Sequence, residues 1–318
     1  MRIVVLALDS VFDTGLATIL DAFTTANELA ALQEAPPPAF DVTLTGLRSA
    51  VRSSQGMGVP VAPLADCGTP DLVIVPAIGH KMPEPLARAL ATDEIADAAD
   101  ALRCWAGQGV RIAAACIGTF VLAESGLLDE QDATTTWWLT PMFRQRYPRV
   151  RLDAQRMVVH SGQFVTAGAA LSHLDMALWL IRQSSPELAE LVARYLIVDA
   201  RPSQSAYVIS DHLAHADPLV SRFDRWAREN LGQGFSLDAA ADALATSKRT
   251  LARRLQDVMG KTPVGYVQDL RIERAVHLLK TTGSNIDRIA EQVGYSDGVT
   301  LRTLLRKRLG KGLRDIRE

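Results

Sequence analysis

The chain has 318 residues, a length that accommodates about two domains of ordinary size. Apolar residues make up 48% and charged residues 22%, which excludes a chain that is disordered throughout. The net charge of −2 conceals an asymmetry, because residues 219–318 carry 19 Lys and Arg against 12 Asp and Glu, whereas residues 1–218 carry 15 against 24. Only the C-terminal part is therefore expected to bind a polyanion.

The three cysteines, Cys67, Cys104 and Cys116, have no CxxC spacing and no nearby histidine cluster. We therefore expect no metal site, no cofactor and no disulfide framework, in agreement with a reducing cytoplasm. The apolar run 3–8 is too short for a secretory signal, and no run reaches about 18 uninterrupted apolar residues, so neither export nor a membrane span is expected.

Segments typical of buried strands alternate with segments typical of helices over the first 180 residues. The predicted strands are short and apolar: 3–8, 40–47, 71–76, 109–115, 157–159 and 164–166. The predicted helices have apolar residues three and four positions apart: 16–32, 92–108, 120–126 and 171–182. This alternation predicts an α/β domain over 1–185, doubly wound around a mainly parallel sheet with helices on both faces.

A helical connector is predicted over 186–218, since Ser185-Pro186 and Arg201-Pro202 interrupt it and Asp217-Pro218 ends it. From residue 219 onward the pattern is helical throughout, and runs of β-branched residues disappear. The second domain, 219–318, is therefore predicted to be all-α.

The basic domain repeats one pattern twice, a short helix followed by a tight turn and a basic helix. In the first copy, Ser236 caps the short helix, Ser247 caps the basic helix 248–259, and Gly260 ends it. In the second copy, the helix 286–293 precedes the basic helix 297–309. A long helix from Pro263 to about residue 281 joins the two copies.

Two such basic helices indicate that the domain binds double-stranded DNA, with each helix entering one of two successive major grooves. The predicted DNA-binding residues are exposed near the helix starts or lie on the basic faces: Lys248, Arg249, Thr250, Arg253, Arg254, Val299, Thr300, Arg302 and Arg306. We expect Arg254 and Arg306, together with Lys307 and Arg308, to contact phosphates. The residues expected to reach base edges are Lys248, Arg249, Arg253, Val299, Thr300 and Arg302. The alternative is a solvated basic face without a partner.

The same region resembles the DNA-binding domain of AraC-type transcription regulators. The resemblance rests on Gly260-Lys-Thr-Pro263, Tyr266, 270–275 and Val293-Gly294-Tyr295, and it covers about residues 220–310. It departs from the family at Leu301, Thr303 and Leu305, where an aromatic, an Arg and an aromatic are usual. The first basic helix therefore has better support as a base reader than the second.

The sharpest local feature of the first domain is the passage from a buried strand through Cys116 and Ile117 into a helix. This arrangement is typical of a nucleophile elbow. A helix N-terminus there is expected to lower the thiol pKa, and backbone N–H groups there are expected to hold an oxyanion. The alternative is a buried structural cysteine.

The first domain resembles the ThiJ/PfpI domain of the glutamine-amidotransferase-like fold. The motifs are 71–76, Cys116, 122–129, 133–137 and 166–168, within residues 1–185. The resemblance implies a flavodoxin-like, class I glutamine-amidotransferase-like sheet, and with the C-terminal match it implies the GlxA-like subgroup of AraC-type regulators.

Enzymatic relatives place a catalytic histidine where this chain has Thr136, and an acid where Asp13 or Gly15 aligns. Because Thr136 takes no proton at neutral pH, we expect a degenerate elbow and no catalytic residue. A small-molecule effector is expected instead, bound by Cys116, Ile117, Gly79, His80 and Asp13.

The leading hypothesis is a cytoplasmic, dimeric transcription regulator that binds promoter DNA and responds to an unidentified metabolite, and that is not an enzyme. The first alternative is a Cys-dependent hydrolase or amidase fused to a DNA-binding module. The second is a DNA-binding protein whose large domain only oligomerises.

Overall fold

The computed structural model describes residues 1–33, 37, 39–199, 201, 203–204, 217–309, 312–313 and 316. The chain divides into two compact units, Met1–Val208 and Ile209–Glu318. No helix of the described residues is both long and apolar enough to cross a membrane.

A seven-stranded sheet forms the centre of the first unit. In order across the sheet its strands are β10 (Val158–Ser161), β11 (Phe164–Ala167), β7 (Arg111–Ala115), β6 (Leu72–Val75), β1 (Arg2–Ala7), β2 (Asp41–Gly46) and β5 (Ala62–Pro63). All neighbours pair in parallel except β10 and β11, which pair antiparallel. Two short strand pairs lie apart from it: β3 (Val51–Arg52) with β4 (Gly58–Val59), and β8 (Asp132–Ala133) with β9 (Arg151–Leu152).

Helices cover both faces of this sheet. They are α1 (Asp13–Ala30), α2 (Pro83–Ala89), α3 (Asp93–Gly107), α4 (Gly118–Glu124), α5 (Thr140–Arg146), α6 (Ser172–Ser184) and α7 (Pro186–Tyr195). Successive side chains of β6 alternate between the two cores, Leu72 and Ile74 packing with α1 and α6, and Val73 and Val75 packing with α3 and α4. The predicted doubly wound α/β class is confirmed. Its central strands could be predicted because a strand buried on both faces must be apolar at every position.

Helix α7 belongs to the first unit rather than to a connector. Ser185 caps it through a hydrogen bond from the Leu188 N–H, and Leu188, Ala189 and Val192 are buried in the core that α1 and α6 share. The chain therefore leaves the first unit about twenty residues later than the predicted boundary at 185, with the division at 208/209. Part of the predicted connector 186–218, including Pro202, lies outside the described residues.

The second unit is helical over its described residues. Its helices are α8 (Pro218–Glu229), α9 (Leu237–Ala243), α10 (Lys248–Met259), α11 (Pro263–Thr281), α12 (Ile286–Gln292) and α13 (Gly298–Leu309). The predicted caps are in place, since Ser236 and Ser247 accept hydrogen bonds from the third residue after them and Gly260 has φ +65°. The predicted double helix-turn-helix architecture is therefore confirmed.

Candidate ligand pocket and DNA-binding surface

The loops after three central strands meet at the carboxyl edge of the sheet, where open α/β sheets bind ligands. The Phe12 N–H donates to Ala77 O at 2.7 Å, and the Gly79 N–H donates to Ser10 O at 2.7 Å. These bonds join the loop after β1 to the loop after β6. Cys116 follows β7 directly, and its N–H donates to Ala167 O at the end of β11 at 2.8 Å.

Cys116 occupies a strained turn between β7 and α4. Its φ is +57°, in the left-handed region that costs a residue with a side chain about 1–3 kcal/mol. Gly118 makes the turn possible, because a Cβ at that position would lie 2.3 Å from Val75 O and 2.8 Å from Pro76 O. The geometry matches the predicted elbow.

The electrostatics of the Cys116 thiol differ from the prediction. Cys116 is only 3% exposed, and burial raises the pKa of its thiol to about 12, against smaller opposing effects of the Ile117 backbone, the Thr136 hydroxyl and Lys81. The expectation of a lowered thiol pKa is therefore wrong. Desolvation of a thiolate outweighs the short helix that follows, so the thiol is protonated at neutral pH.

The threonines at 135 and 136 surround the turn. The Thr135 hydroxyl donates to Cys116 O at 2.7 Å, and Thr136, fully buried, faces the thiol. Lys81 contributes a positive charge from the loop after β6, where its ammonium also lies 5.4 Å from the centre of the Phe12 ring. None of these groups is a general base for the thiol at neutral pH.

His173 is the buried histidine beside this region, and both its ring nitrogens are engaged. Nε2 accepts the Ala77 N–H at 3.1 Å, and Nδ1 lies 2.6 Å from Ala170 O, so the ring carries its proton on Nδ1. Burial lowers the pKa of His173 to about 4. A Cβ at Gly15 would lie 2.6 Å from this ring. His173 is therefore a neutral link between the loop after β6 and helix α6.

The structure brings Asp13 and Gly79 together through Ser54. Ser54 Oγ donates to Asp13 Oδ2 at 2.7 Å, as does the Gln55 N–H at 3.1 Å, and a Cβ at Gly79 would lie 2.2 Å from Ser54 Cβ. Burial opposes ionisation, but hydrogen bonds from Ser53, Ser54 and the backbone lower the pKa of Asp13, so it is ionised at neutral pH.

The five predicted effector residues differ in accessibility. Asp13, Gly79 and His80 are half-buried, whereas Cys116 and Ile117 are buried. Hydrogen bonds between described residues do not join Asp13 to Cys116. Sequence analysis does not single out Ser54, because its Gly- and Ser-rich loop is typical of a solvated segment, and only the tertiary contacts place it on Asp13.

Helix α10 exposes its three predicted base-reading side chains to solvent. Lys248, Arg249 and Arg253 are exposed. Lys248 pairs with Asp238 at 2.7 Å and Arg253 approaches Asp257 at 4.0 Å, exposed contacts that solvent and salt screen. Thr250 instead belongs to the N-terminal cap, since its N–H donates to Ser247 Oγ at 3.0 Å.

Two of the predicted phosphate contacts are paired within the second unit. Arg254 Nη2 lies 3.0 Å from Asp217 Oδ2, a carboxylate that is 7% exposed, and Arg308 Nη2 lies 3.6 Å from Asp269 Oδ1. Arg254 therefore also has a structural contact, because it is the cationic partner of a buried carboxylate whose other oxygen caps helix α8.

Helix α13 explains the departure from the AraC pattern. Leu301 and Leu305 are buried in the core formed with α11 and α12, whereas Val299, Thr300, Arg302, Thr303 and Arg306 are exposed. The Thr300 N–H and hydroxyl both bind the Asp297 carboxylate, at 2.7 and 2.9 Å, which caps the helix start. The two departing leucines therefore serve packing.

The sequence profile of the DJ-1/PfpI family matches residues 1–183, more than half of the chain. The chain belongs to the DJ-1/PfpI family. A helix-turn-helix domain profile matches residues 240–318, so this family member joins a DJ-1/PfpI domain to an AraC-type DNA-binding domain.

Several regulators are similar to this DJ-1/PfpI member. The HTH-type transcriptional regulator GbdR of Pseudomonas aeruginosa is 28% identical over 198 residues, 61% of this chain and 54% of GbdR. The HTH-type transcriptional activator RhaS of Escherichia coli O1:K1 / APEC is 36% identical over 110 residues, 35% of this chain and 40% of RhaS. The chain thus spans about half or less of the length of these relatives.

A solved structure shares the fold of the first unit. An AraC family transcriptional regulator from Pseudomonas putida superposes with a TM-score of 0.51 at 21% identity, covering 61% of this chain and 98% of that one.

Proposed function

We propose that this protein is a transcription regulator that binds double-stranded promoter DNA through its second unit and responds to a small metabolite bound by its first unit. The observation that carries the proposal is the pair of capped helix-turn-helix units, α9–α10 and α12–α13, each ending in a helix with exposed cationic side chains. The similar regulators GbdR and RhaS support it.

The charge distribution supports DNA as the partner. Residues 219–318 carry a surplus of seven basic residues, 19 against 12, and the predicted contacts on α10 and α13 are exposed except for the half-buried Thr250. Arg249, Arg253 and Arg302 are the proposed base readers, and Arg306 and Arg308 the proposed phosphate contacts. A homodimer is proposed because promoter sites for such regulators are usually symmetric, and its place is the cytoplasm, where the promoter is.

For the effector, we propose the carboxyl edge of the sheet in the first unit. Asp13, Gly79 and His80 line the accessible rim, and Cys116 and Ile117 form the floor. The ionised Asp13 carboxylate and the Lys81 ammonium give this edge both charges, which suits a polar metabolite.

The first unit is proposed to bind without catalysis. Three features support this: the protonated thiol, the two occupied nitrogens of His173, and Thr136 beside the sulfur in the position where enzymatic relatives have histidine. A Cys-dependent hydrolase would require a thiolate and an available base. Turnover of an amide or ester by the wild type that Cys116→Ala abolishes would contradict this part of the proposal.

The decisive experiment is selection of genomic DNA fragments by the purified full-length protein, repeated at several salt concentrations. The proposal predicts one recurrent sequence containing two half-sites about one helical turn, ~34 Å, apart. Binding that depends on salt but selects no sequence would contradict it, since a merely basic surface neutralises phosphates without discrimination.

A further inference from the structure

The segment that follows α7 is attached to the first unit by three different contacts. Arg201 forms a bidentate ion pair with Asp175, at 2.5 and 3.2 Å, and its guanidinium also donates to Leu171 O at 3.1 Å. Ser203 forms an antiparallel bridge with Arg156, and Gln204 N–H donates to Gln155 O at 2.9 Å. We call residues Arg201, Ser203 and Gln204 the strap. In sequence it lies between the sheet domain and helix α8.

The side chain of Gln204 is fully buried in the first unit. Its Nε2 donates to Thr135 O at 2.9 Å and to Thr134 Oγ1 at 3.3 Å, and it lies 3.5 Å from Arg156 O. Gly168 leaves room for this side chain, because a Cβ at that position would lie 2.7 Å from the Gln204 amide. A glutamine buried this completely is uncommon unless it is paired.

This subsite offers hydrogen-bond acceptors. Two of the three groups are backbone carbonyls, and Thr134 already donates its hydroxyl proton to Arg156 O at 3.0 Å, so its oxygen accepts. The Gln204 Oε1 is buried and has no hydrogen-bond partner among the described residues. Gln204 therefore satisfies only the donor half of its carboxamide, so it is held less firmly than a fully paired buried side chain.

The subsite is one residue away from the strained elbow. Thr135 accepts the Gln204 amide with its carbonyl and donates its hydroxyl to Cys116 O at 2.7 Å. A single residue thus contacts both the strap and the turn beneath the proposed effector edge. Any group that replaces Gln204 removes the one buried side chain of the strap.

We propose that the Gln204 carboxamide occupies a subsite for the effector, and that an effector bearing a carboxamide displaces it and frees the strap from the first unit. This inference rests on the proposed function, which supplies the effector and the DNA response. The acceptors are neutral, which favours a neutral carboxamide over an ammonium group, whose burial without a counter-charge is costly.

The test uses the full chain with Gln204→Ala, which opens the subsite, and propionamide, which has the size and chemistry of the missing side chain. Amide hydrogen exchange at Gln204 reports docking, and exchange in β7 reports folding. We expect Gln204→Ala to speed exchange at residue 204 about tenfold while β7 stays protected. Propionamide added to the wild type should speed exchange at Gln204 in the same way, because it competes with the side chain for the subsite, whereas propionate, which lacks an N–H, should not.

Two variants serve as controls. Gln204→Met fills the subsite without donating, so the strap should undock, and propionamide should speed its exchange no further. Gln183→Ala removes an exposed glutamine whose amide donates to Trp179 O, and it should leave exchange in the strap unchanged. Unchanged exchange in both Gln204 variants, no effect of propionamide on the wild type, or an equal effect of propionate would overturn the subsite.

DNA binding separates this inference from the proposed function. If the wild type selects a recurrent sequence, Gln204→Ala is expected to change affinity for it about fivefold or more, and propionamide to change the affinity of the wild type in the same direction. Identical affinity of the undocked variant and the wild type would overturn the regulatory role of the strap. A wild type that selects no sequence would instead overturn the proposed function, whatever the exchange data show.

Discussion

Gly118 leaves no room for a methyl group, because the loop after β6 passes directly over it. A Cβ there would meet Val75 O at 2.3 Å and Pro76 O at 2.8 Å, both backbone atoms that a side-chain rotation cannot move. The turn at Cys116, with φ +57°, depends on this close approach. Steric limits therefore constrain which residues fit at this edge of the sheet, in addition to their chemistry.

Substitution of this glycine tests the role of space. We expect Gly118→Ala to lower the free energy of unfolding of the first unit by about 1–3 kcal/mol, the usual cost of overpacking. Gly107→Ala, in helix α3 with nothing within 4 Å of its Cβ position, should be neutral or slightly stabilising. Chemical denaturation of both variants measures the difference, and equal stability would contradict the packing argument.

His173 predicts a pH dependence. Burial lowers its pKa to about 4 from the ordinary histidine value of 6.5, so the folded state binds the proton less tightly than the unfolded state. The neutral His173 ring makes its full contribution to the free energy of unfolding above pH 6.5. As the pH falls from 6.5 toward 4, this contribution is lost, by about 3 kcal/mol in total. Unfolding measured between pH 4 and 7 should show this slope.

The matched variant for this measurement is His173→Gln. It removes the titrating group, so the slope between pH 6.5 and 4 should flatten even though the baseline stability falls. A slope of the same size in wild type and variant would assign the acid sensitivity to other groups.

At the scale of elements, Asp217 links two helices of the second unit. Its Oδ1 accepts the N–H groups of Leu219 and Val220 at the start of α8, at 2.8 and 3.1 Å, while Oδ2 pairs with Arg254 on α10. One carboxylate thus caps the first helix and orients the second. The position of α10 against α8 therefore depends on a residue outside both helix-turn-helix motifs.

The cap and the ion pair are separable by substitution. Asp217→Ala loses both and should lower the unfolding free energy of the second unit by about 1–2 kcal/mol. Asp217→Asn keeps a cap oxygen and loses only the charge, so it should retain most of the stability. Thermal unfolding of the two variants distinguishes them, and equal losses would mean that the ion pair, not the cap, dominates.

The basic helices carry separable roles in DNA binding. Arg253→Ala should cost about 1–3 kcal/mol at its preferred base and relax sequence preference there. Arg308→Ala should weaken binding to all sequences similarly and lower the salt slope by about one unit. Titrations with the selected site and with random DNA measure both, and equal effects on the two DNAs for both variants would contradict this division.

At the level of the whole molecule, the chain consists of two units of opposite charge. The first unit extends through α7, whose Leu188, Ala189 and Val192 are buried in its core. The second unit has its own core, built around Leu279, Leu301 and Leu305. Because each core is self-contained, the units are expected to fold separately.

Separate expression tests this division. The fragment 209–318 should fold, bind DNA more weakly than the full chain and show no metabolite response. The fragment 186–318 carries α7 without its core, so three buried apolar side chains become exposed and it should self-associate. Sedimentation and DNA titration of both fragments check this, and a monodisperse 186–318 with unchanged stability would place α7 outside the first core.

Features that local interactions control were predictable from the residues alone. Alternating apolar segments predicted the sheet, because a strand buried on both faces must be apolar throughout. Ser236, Ser247 and Gly260 predicted helix ends, because caps act over three or four residues. The two helix-turn-helix units and their basic faces follow from these local signals.

Features that depend on contacts between residues distant in the chain are visible only in the folded molecule. The thiol pKa of Cys116 is raised because the fold buries it, an effect that its neighbours in sequence do not reveal. His173 is neutral because the fold buries it, which outweighs the opposing effect of the hydrogen bond to Ala170 O, and Arg254 has a structural contact because Asp217 faces it. Desolvation and hydrogen-bond partners are set by three-dimensional packing, which residue type and spacing do not specify.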